Sequence, residues 1–288
     1  MSVLQAVVKG LGSAVRKPRL AVILYVFNLG FAAAVLLPFF AVVQSELGHS
    51  FLGSNVRPVD VMWLGEAALK YGDAAPAVIG QALAAALLYF ALSLFLNGGV
   101  VGRLLDREGR TTLEPFFADC GRYFWRFVRI FLVSLVFHVL AFAAVLNLLS
   151  ALIRPATESA VTEWPRLILS NLHFLIALLL LSAVRMIVDY ARIAVVADAE
   201  AKVLRALRHA LKFLGKRFFR AWAVYLLLAL LTVAGTAVFY VVLGRFAAPG
   251  VAGVAAGLAW MQAYVLFRAW MRTVFVAAQA EYYRAHPY

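Results

Sequence analysis

Arg103, Arg192 and Arg272 each stand near the end of an apolar stretch, and Arg192 lies within a helical turn of Asp189, with Arg185 one turn earlier. Guanidinium groups at the edge of hydrocarbon can hold a phosphate or a lipid headgroup through charge-assisted, forked hydrogen bonds. Arg103, Arg185, Asp189, Arg192 and Arg272 therefore form a candidate lipid- or anion-binding set. Arginines reaching to a membrane surface, plus one internal ion pair, account for the same residues without a ligand.

A second basic set, Lys202, Arg205, Arg208, Lys212 and Lys216, recurs at helical steps, with Val203, Leu207, Leu211, Leu214 and Phe218 on another face. Such a face can rest on anionic lipid, each nearby cation contributing about 1 kcal/mol. Anchoring and orientation explain it equally well. In a helix from Asp198 to Arg220, Asp198 can cap the first turn and the basic end complements the helix dipole.

Covalent chemistry has no such support. His-Glu-x-x-His, Gly-x-Ser-x-Gly and a phosphate-binding glycine loop with Lys-Ser/Thr are all missing. His49, His138, His173, His209 and His286 are scattered without a carboxylate at ligand spacing, and Cys120 is the single cysteine. The expectation is no enzyme activity, no cofactor and no metal. Asn147, Asn171 and His173 fall at similar depth across one hairpin and are expected to hydrogen-bond together, with His138 deeper.

The elements that must position these residues are apolar. Hydrophobic residues make up 65% of the 288 and mean hydropathy is +0.89, which leaves too little polar surface for a water-soluble domain. Six stretches, 20–43, 77–101, 128–152, 167–196, 221–243 and 251–276, are each long enough to cross a hydrocarbon core of about 30 Å. The spacing predicts an all-α, polytopic integral membrane protein with six transmembrane helices. It is read as one transmembrane domain, 1–288.

A net charge of +13 would suggest nucleic acid in a soluble protein, but here the cations alternate across the spans. Lys9, Arg16, Lys17 and Arg19 precede the first stretch, Arg103 to Arg129 follow the second, and Lys202 to Arg220 follow the fourth. The loop after the first stretch instead holds Glu46, Asp60, Glu66 and Asp73 against Arg57 and Lys70. Both termini are therefore predicted to be cytoplasmic in a bacterial inner membrane. Residues 1–19 do not read as a secretory signal, because the apolar run begins only after the basic cluster.

A short amphipathic segment ending in basic residues precedes each odd-numbered span. Gly121-Arg-Tyr-Phe-Trp-Arg126 aligns with Gly215-Lys-Arg-Phe-Phe-Arg220, and Arg192-Ile-Ala-Val-Val-Ala197 with Arg272-Thr-Val-Phe-Val-Ala277. Three helix-plus-hairpin repeats result, 1–104, 112–197 and 198–281, with cytoplasmic amphipathic helices. Gly98 and Gly102, and Gly253 and Gly257, have the spacing that lets helices approach closely, either within one bundle or in a dimer.

At Arg185-Met-Ile-Val-Asp189-Tyr-Ala-Arg192-Ile-Ala-Val-Val-Ala-Asp198, followed by Arg205-Ala-Leu-Arg-His-Ala-Leu-Lys-Phe-Leu and Arg220-Ala-Trp222, the chain resembles bacterial six-span proteins related to the membrane domain of glycerophosphoryl diester phosphodiesterases. The resemblance implies a fold and lipid association. It implies no hydrolysis, which in that family belongs to a separate soluble domain with a His-Arg-Gly element that this chain lacks. The expected role is binding of membrane lipid, anionic by the charge pattern, or of a membrane protein partner or second copy, with no nucleic acid. Alternatives are a transporter of an anionic solute or lipid, and a structural subunit of a larger complex docked through 58–71.

Overall fold

A computed structural model describes residues 1–47, 75–106, 111–149, 151, 163–198, 202–246 and 251–286. Among them are α1 (Val3–Arg16), α2 (Pro18–Leu47), α3 (Ala75–Leu105), α4 (Leu113–Ala143), α5 (Glu163–Ala197), α6 (Val203–Leu243) and α7 (Val251–Arg284). A π-helical turn, Ala144–Leu149, follows α4 and a 3-10 turn, Gly244–Phe246, follows α6. The described residues contain no strand, and α2 to α7 are the six helices long and apolar enough to cross a membrane. The segment 58–71 and the charges Arg57, Asp60, Glu66, Lys70, Asp73, Arg107, Arg110, Arg154 and Glu158 lie outside the described residues.

Two compact units divide the chain, residues 23–94 and residues 1–22 with 95–288. In the smaller, α2 and α3 meet through Tyr89, whose hydroxyl donates to Asn28 Oδ1 at 3.0 Å and whose ring lies 5.2 Å from that of Phe31. The larger buries its core where α1, the end of α5, the start of α6 and the end of α7 converge. Phe213 sits among Tyr190, Tyr282 and Tyr283, with ring centroids 5.0 to 5.9 Å away. Beyond this core the helices expose Leu132, Val136 and Leu140 on α4 and Leu230, Val233 and Val241 on α6. In helices of this length such apolar faces suit hydrocarbon rather than water.

α1 starts at a capping box, Ser2 Oγ accepting from Gln5 N at 3.2 Å while Ser2 N donates to Gln5 Oε1 at 3.0 Å. It stops at Lys17, and Pro18, suited to a first helical position, begins α2. Its buried face is small: Ala6, Val7, Gly10 and Ala14. Gly10 needs to be glycine, because a Cβ there would stand 2.5 Å from Ala278 Cα on α7.

The segment 112–129 is fused to the span that follows it, and α4 runs through it without interruption. α6 is instead two helices joined across a kink at Arg217 (φ −142°, ψ 22°). Lys212 and Lys216 thus lie near the C-terminal end of the first, where cations complement a helix dipole, while Lys202 and Arg205 stand at its positive end.

At the offset that places Gly121 on Gly215, α4 and α6 share one burial register. Six of the seven buried residues of α4 fall on buried residues of α6: Phe116 on Ala210, Asp119 on Phe213, Cys120 on Leu214, Phe127 on Ala221, Ile130 on Val224 and Ser134 on Leu228. The side chains differ while the packed face stays the same.

Two neighbouring glycines of α1 offer a controlled test of its docking. Gly10→Ala should lower stability by about 1–3 kcal/mol through overpacking. Gly12→Ala, whose Cβ would meet nothing within 4 Å, should be neutral or gain up to about 1 kcal/mol from helix propensity. Thermal unfolding of both variants in detergent checks this, and equal effects would contradict the α1–α7 contact.

Candidate functional site

Arg103, Arg192 and Arg272 are each engaged by an acceptor inside the protein. Arg103, at the end of α3, reaches Asp119 Oδ2 on α4 with Nε at 2.7 Å and a terminal nitrogen at 2.5 Å, and also meets Asp106 at 3.1 Å. Arg192 on α5 pairs with Asp189 at 3.3 Å and lies 5.8 Å from the Phe127 ring, while its buried Nε has no protein partner. Arg272 on α7 donates to Asn97 Oδ1 on α3 at 2.8 Å. Arg185 is 3.8 Å from Asp189 and 60% exposed, so the expected ion pair forms and its outer member remains in solvent reach.

Helix packing explains why Asp119 is the partner of Arg103. Gly98, Gly99 and Gly102 let α3 lie directly on Asp119, Cys120 and Phe116; a Cβ on Gly102 would be 2.4 Å from Asp119 Oδ2. The Gly98 and Gly102 spacing thus serves packing within the chain. At the same helix end the α3 carbonyls would lack intrahelical donors. Lys17 Nζ donates to Arg103 O at 2.6 Å and to Asp106 O, and Arg284 donates to Leu105 O. Burial lowers the Lys17 pKa from its ordinary value, with Arg103 and Arg284 adding to the effect and Asp106 opposing it.

The second basic set is arranged differently. Lys202, Arg205 and Arg208, at the start of α6, line an open cleft of about 630 Å³ together with Arg129 of α4, Val203 and Leu204. All four cations are exposed, as are Lys212 and Lys216 further along α6. Arg129 and Arg208 make no side-chain ion pair or hydrogen bond among the described residues. Beside the cleft a narrow apolar crevice runs between α4, α5 and α6, lined by Ile130, Val133, Phe137, Ile187, Val203 and Leu207 among others, with Val203 common to both.

Several expectations need correction. Asp198 does not cap α6, whose N-cap is Lys202 with no side-chain capping bond; it accepts from Tyr283 Oη at 2.9 Å and meets His209 Nδ1 at 3.3 Å. His209 thus has a carboxylate partner that sequence spacing did not reveal. Asn147 and Asn171 bond carbonyls one turn back in their own helical segments, Ala143 O at 3.0 Å and Leu167 O at 2.8 Å, and His138 does the same with Ser134 O at 2.7 Å. Among the described residues no group of His, Cys, Asp and Glu could hold a metal ion.

No protein-family model, curated protein or solved structure matches the chain. The resemblance to the phosphodiesterase-associated membrane proteins rests on the sequence motif alone.

Asp119, with its side chain 5% exposed, and Arg185 give opposite expectations. Asp119→Asn should destabilise the protein by up to about 3–5 kcal/mol, because it removes the buried counter-ion of Arg103 and leaves only the more exposed Asp106. Arg185→Gln should cost less than about 1 kcal/mol, since its pair is solvent-exposed. Unfolding midpoints of the two variants in one detergent provide the comparison, and similar losses would remove the distinction.

Proposed function

We propose that this chain is a multi-pass protein of a bacterial inner membrane, with both termini cytoplasmic, that acts by binding anionic lipid at its basic end without covalent chemistry. The observation that carries the reading is the division of α6 at Arg217. Before the bend it exposes Lys202, Arg205, Arg208, Lys212 and Lys216; well beyond it, Leu230, Val233, Val238 and Val241. α4 changes in the same sense, from exposed Arg122 and Arg129 to exposed Leu132, Val136 and Leu140. A helix that is cationic and then apolar along its length fits a crossing from an anionic lipid surface into acyl chains.

Three helix-plus-hairpin repeats, 1–104, 112–197 and 198–281, belong to the same proposal. Support for the second and third comes from the burial register shared by α4 and α6. Trp125 and Phe219, aligned residues, are also both exposed, at 67% and 79%. Large aromatics beside basic residues favour the headgroup level.

Two measurements test the function. Single cysteines introduced by Ser54→Cys and Thr157→Cys in a Cys120→Ser background should react with an impermeant maleimide from outside the cell, and one introduced by Ala285→Cys should not. In native mass spectrometry from mixed micelles, the protein should retain phosphatidylglycerol in preference to phosphatidylcholine. Reversed labelling, or equal retention of the two lipids, would overturn the reading.

A further inference from the structure

We infer that the cleft between α4 and α6 is a defined site for one anionic phospholipid, with its phosphate among Arg129, Lys202, Arg205 and Arg208 and the start of an acyl chain across the mouth of the adjoining crevice, which itself has room for about one water. The inference rests on the reading that this end of the protein meets an anionic membrane surface, and it adds a particular place and stoichiometry.

Comparison of α4 with α6 separates two kinds of cation. Arg122 and Arg126 are matched by Lys216 and Arg220, so these charges recur in both copies and suffice to orient the spans. The cations of the cleft do not recur. At the same offset Arg205 falls on Thr111, Arg208 on Glu114, and Arg129 on Ala223. Glu114, in the first turn of α4, is favoured by the helix dipole, whereas Lys202, Arg205 and Arg208 crowd the positive end of α6. Arg129 and Arg208, from two helices around one concavity, repel one another, and an anion between them relieves that repulsion. Among the described residues Arg129 and Arg208 have no side-chain acceptor of their own.

The surroundings favour a lipid over a free phosphate. Leu204, 71% exposed, stands between Lys202 and Arg205, and Val203 passes directly from the cleft into the crevice lined by Ile130, Val133, Phe137, Ile187 and Leu207. Polar and apolar walls meet in the order of a headgroup and its chain. Ser134 also lines the crevice, but its hydroxyl donates to Phe131 O at 2.7 Å within its own helix, so the wall behaves as apolar.

The full-length protein in mild detergent provides the test, with helix content followed by circular dichroism. Phosphatidylglycerol binding is titrated by native mass spectrometry for the wild type, for Arg129→Gln/Arg208→Gln, and for the charge-matched control Arg122→Gln/Arg220→Gln. The cleft variant should bind about tenfold or more weakly, and the control within about twofold of wild type. Glycerol phosphate, a headgroup without chains, should fail to displace the lipid, and Val133→Phe in the crevice should weaken lipid binding while all cations remain. Equal losses in the cleft and control variants would overturn the site and leave the general anionic-lipid reading standing. Displacement by glycerol phosphate, or no effect of Val133→Phe, would reduce the cleft to a phosphate site and overturn the lipid assignment. No preference by the wild type would overturn both the site and the function on which it rests.

Discussion

A charge beside hydrocarbon must bring its counter-charge or acceptor with it, and the larger unit is organised by that constraint. An unpaired guanidinium away from water is costly, and an acceptor brought in by a neighbouring helix offsets part of that cost. Arg103 draws on Asp119 and Arg272 on Asn97, so each joins two helices, while Arg192 is served by Asp189 from its own helix. The small residues follow from the same need: only where Gly98, Gly99 and Gly102 remove side chains can α4 bring Asp119 against α3. Packing and electrostatics are here one device.

Charge in this chain consequently has two fates. Arg103, Arg192 and Arg272 point at protein acceptors and hold the bundle together. The cations around the start of α6 are exposed and surround an open cleft. Residue type does not distinguish them. What does is whether a neighbouring helix supplies an oxygen within reach, as α4 does for Arg103, or another cation, as α4 does for Arg208 through Arg129.

Much of the architecture was legible because it depends on apolar length. The six spans, Pro18 as a helix start and the Arg185–Asp189–Arg192 pairing all follow from local spacing. The fusion of the segment 112–129 to its span was not legible, since a change of exposed chemistry along a continuous helix looks the same in sequence as two helices with a join. Of the candidate site, Lys202, Arg205 and Arg208 were visible as a face, but Arg129 was not their evident neighbour. Its approach depends on how α4 lies against α6, and no spacing within one helix encodes that. Asp119 was missed for a related reason. It is one of four acids in the basic stretch 103–129, and only the glycine ridge of α3 makes it a buried partner; the coincidence of that acid with Gly98 and Gly102 was the available signal. The hairpin asparagines misled because a side-chain amide in a helix can bond the carbonyl one turn back without help from a neighbour.

The shared burial register of α4 and α6 places Asp119 and Phe213 at equivalent positions, yet the two cohere by different physics. Asp119 closes its helix contact with an ion pair, whereas Phe213 closes its own by meeting Tyr190, Tyr282 and Tyr283. The desolvation penalty of paired ions falls as temperature rises, while the attraction between apolar surfaces in water fades on cooling. Both junctions, one ionic and one aromatic, therefore gain on warming and lose on cooling, so chemically different contacts at equivalent positions weaken together in the cold.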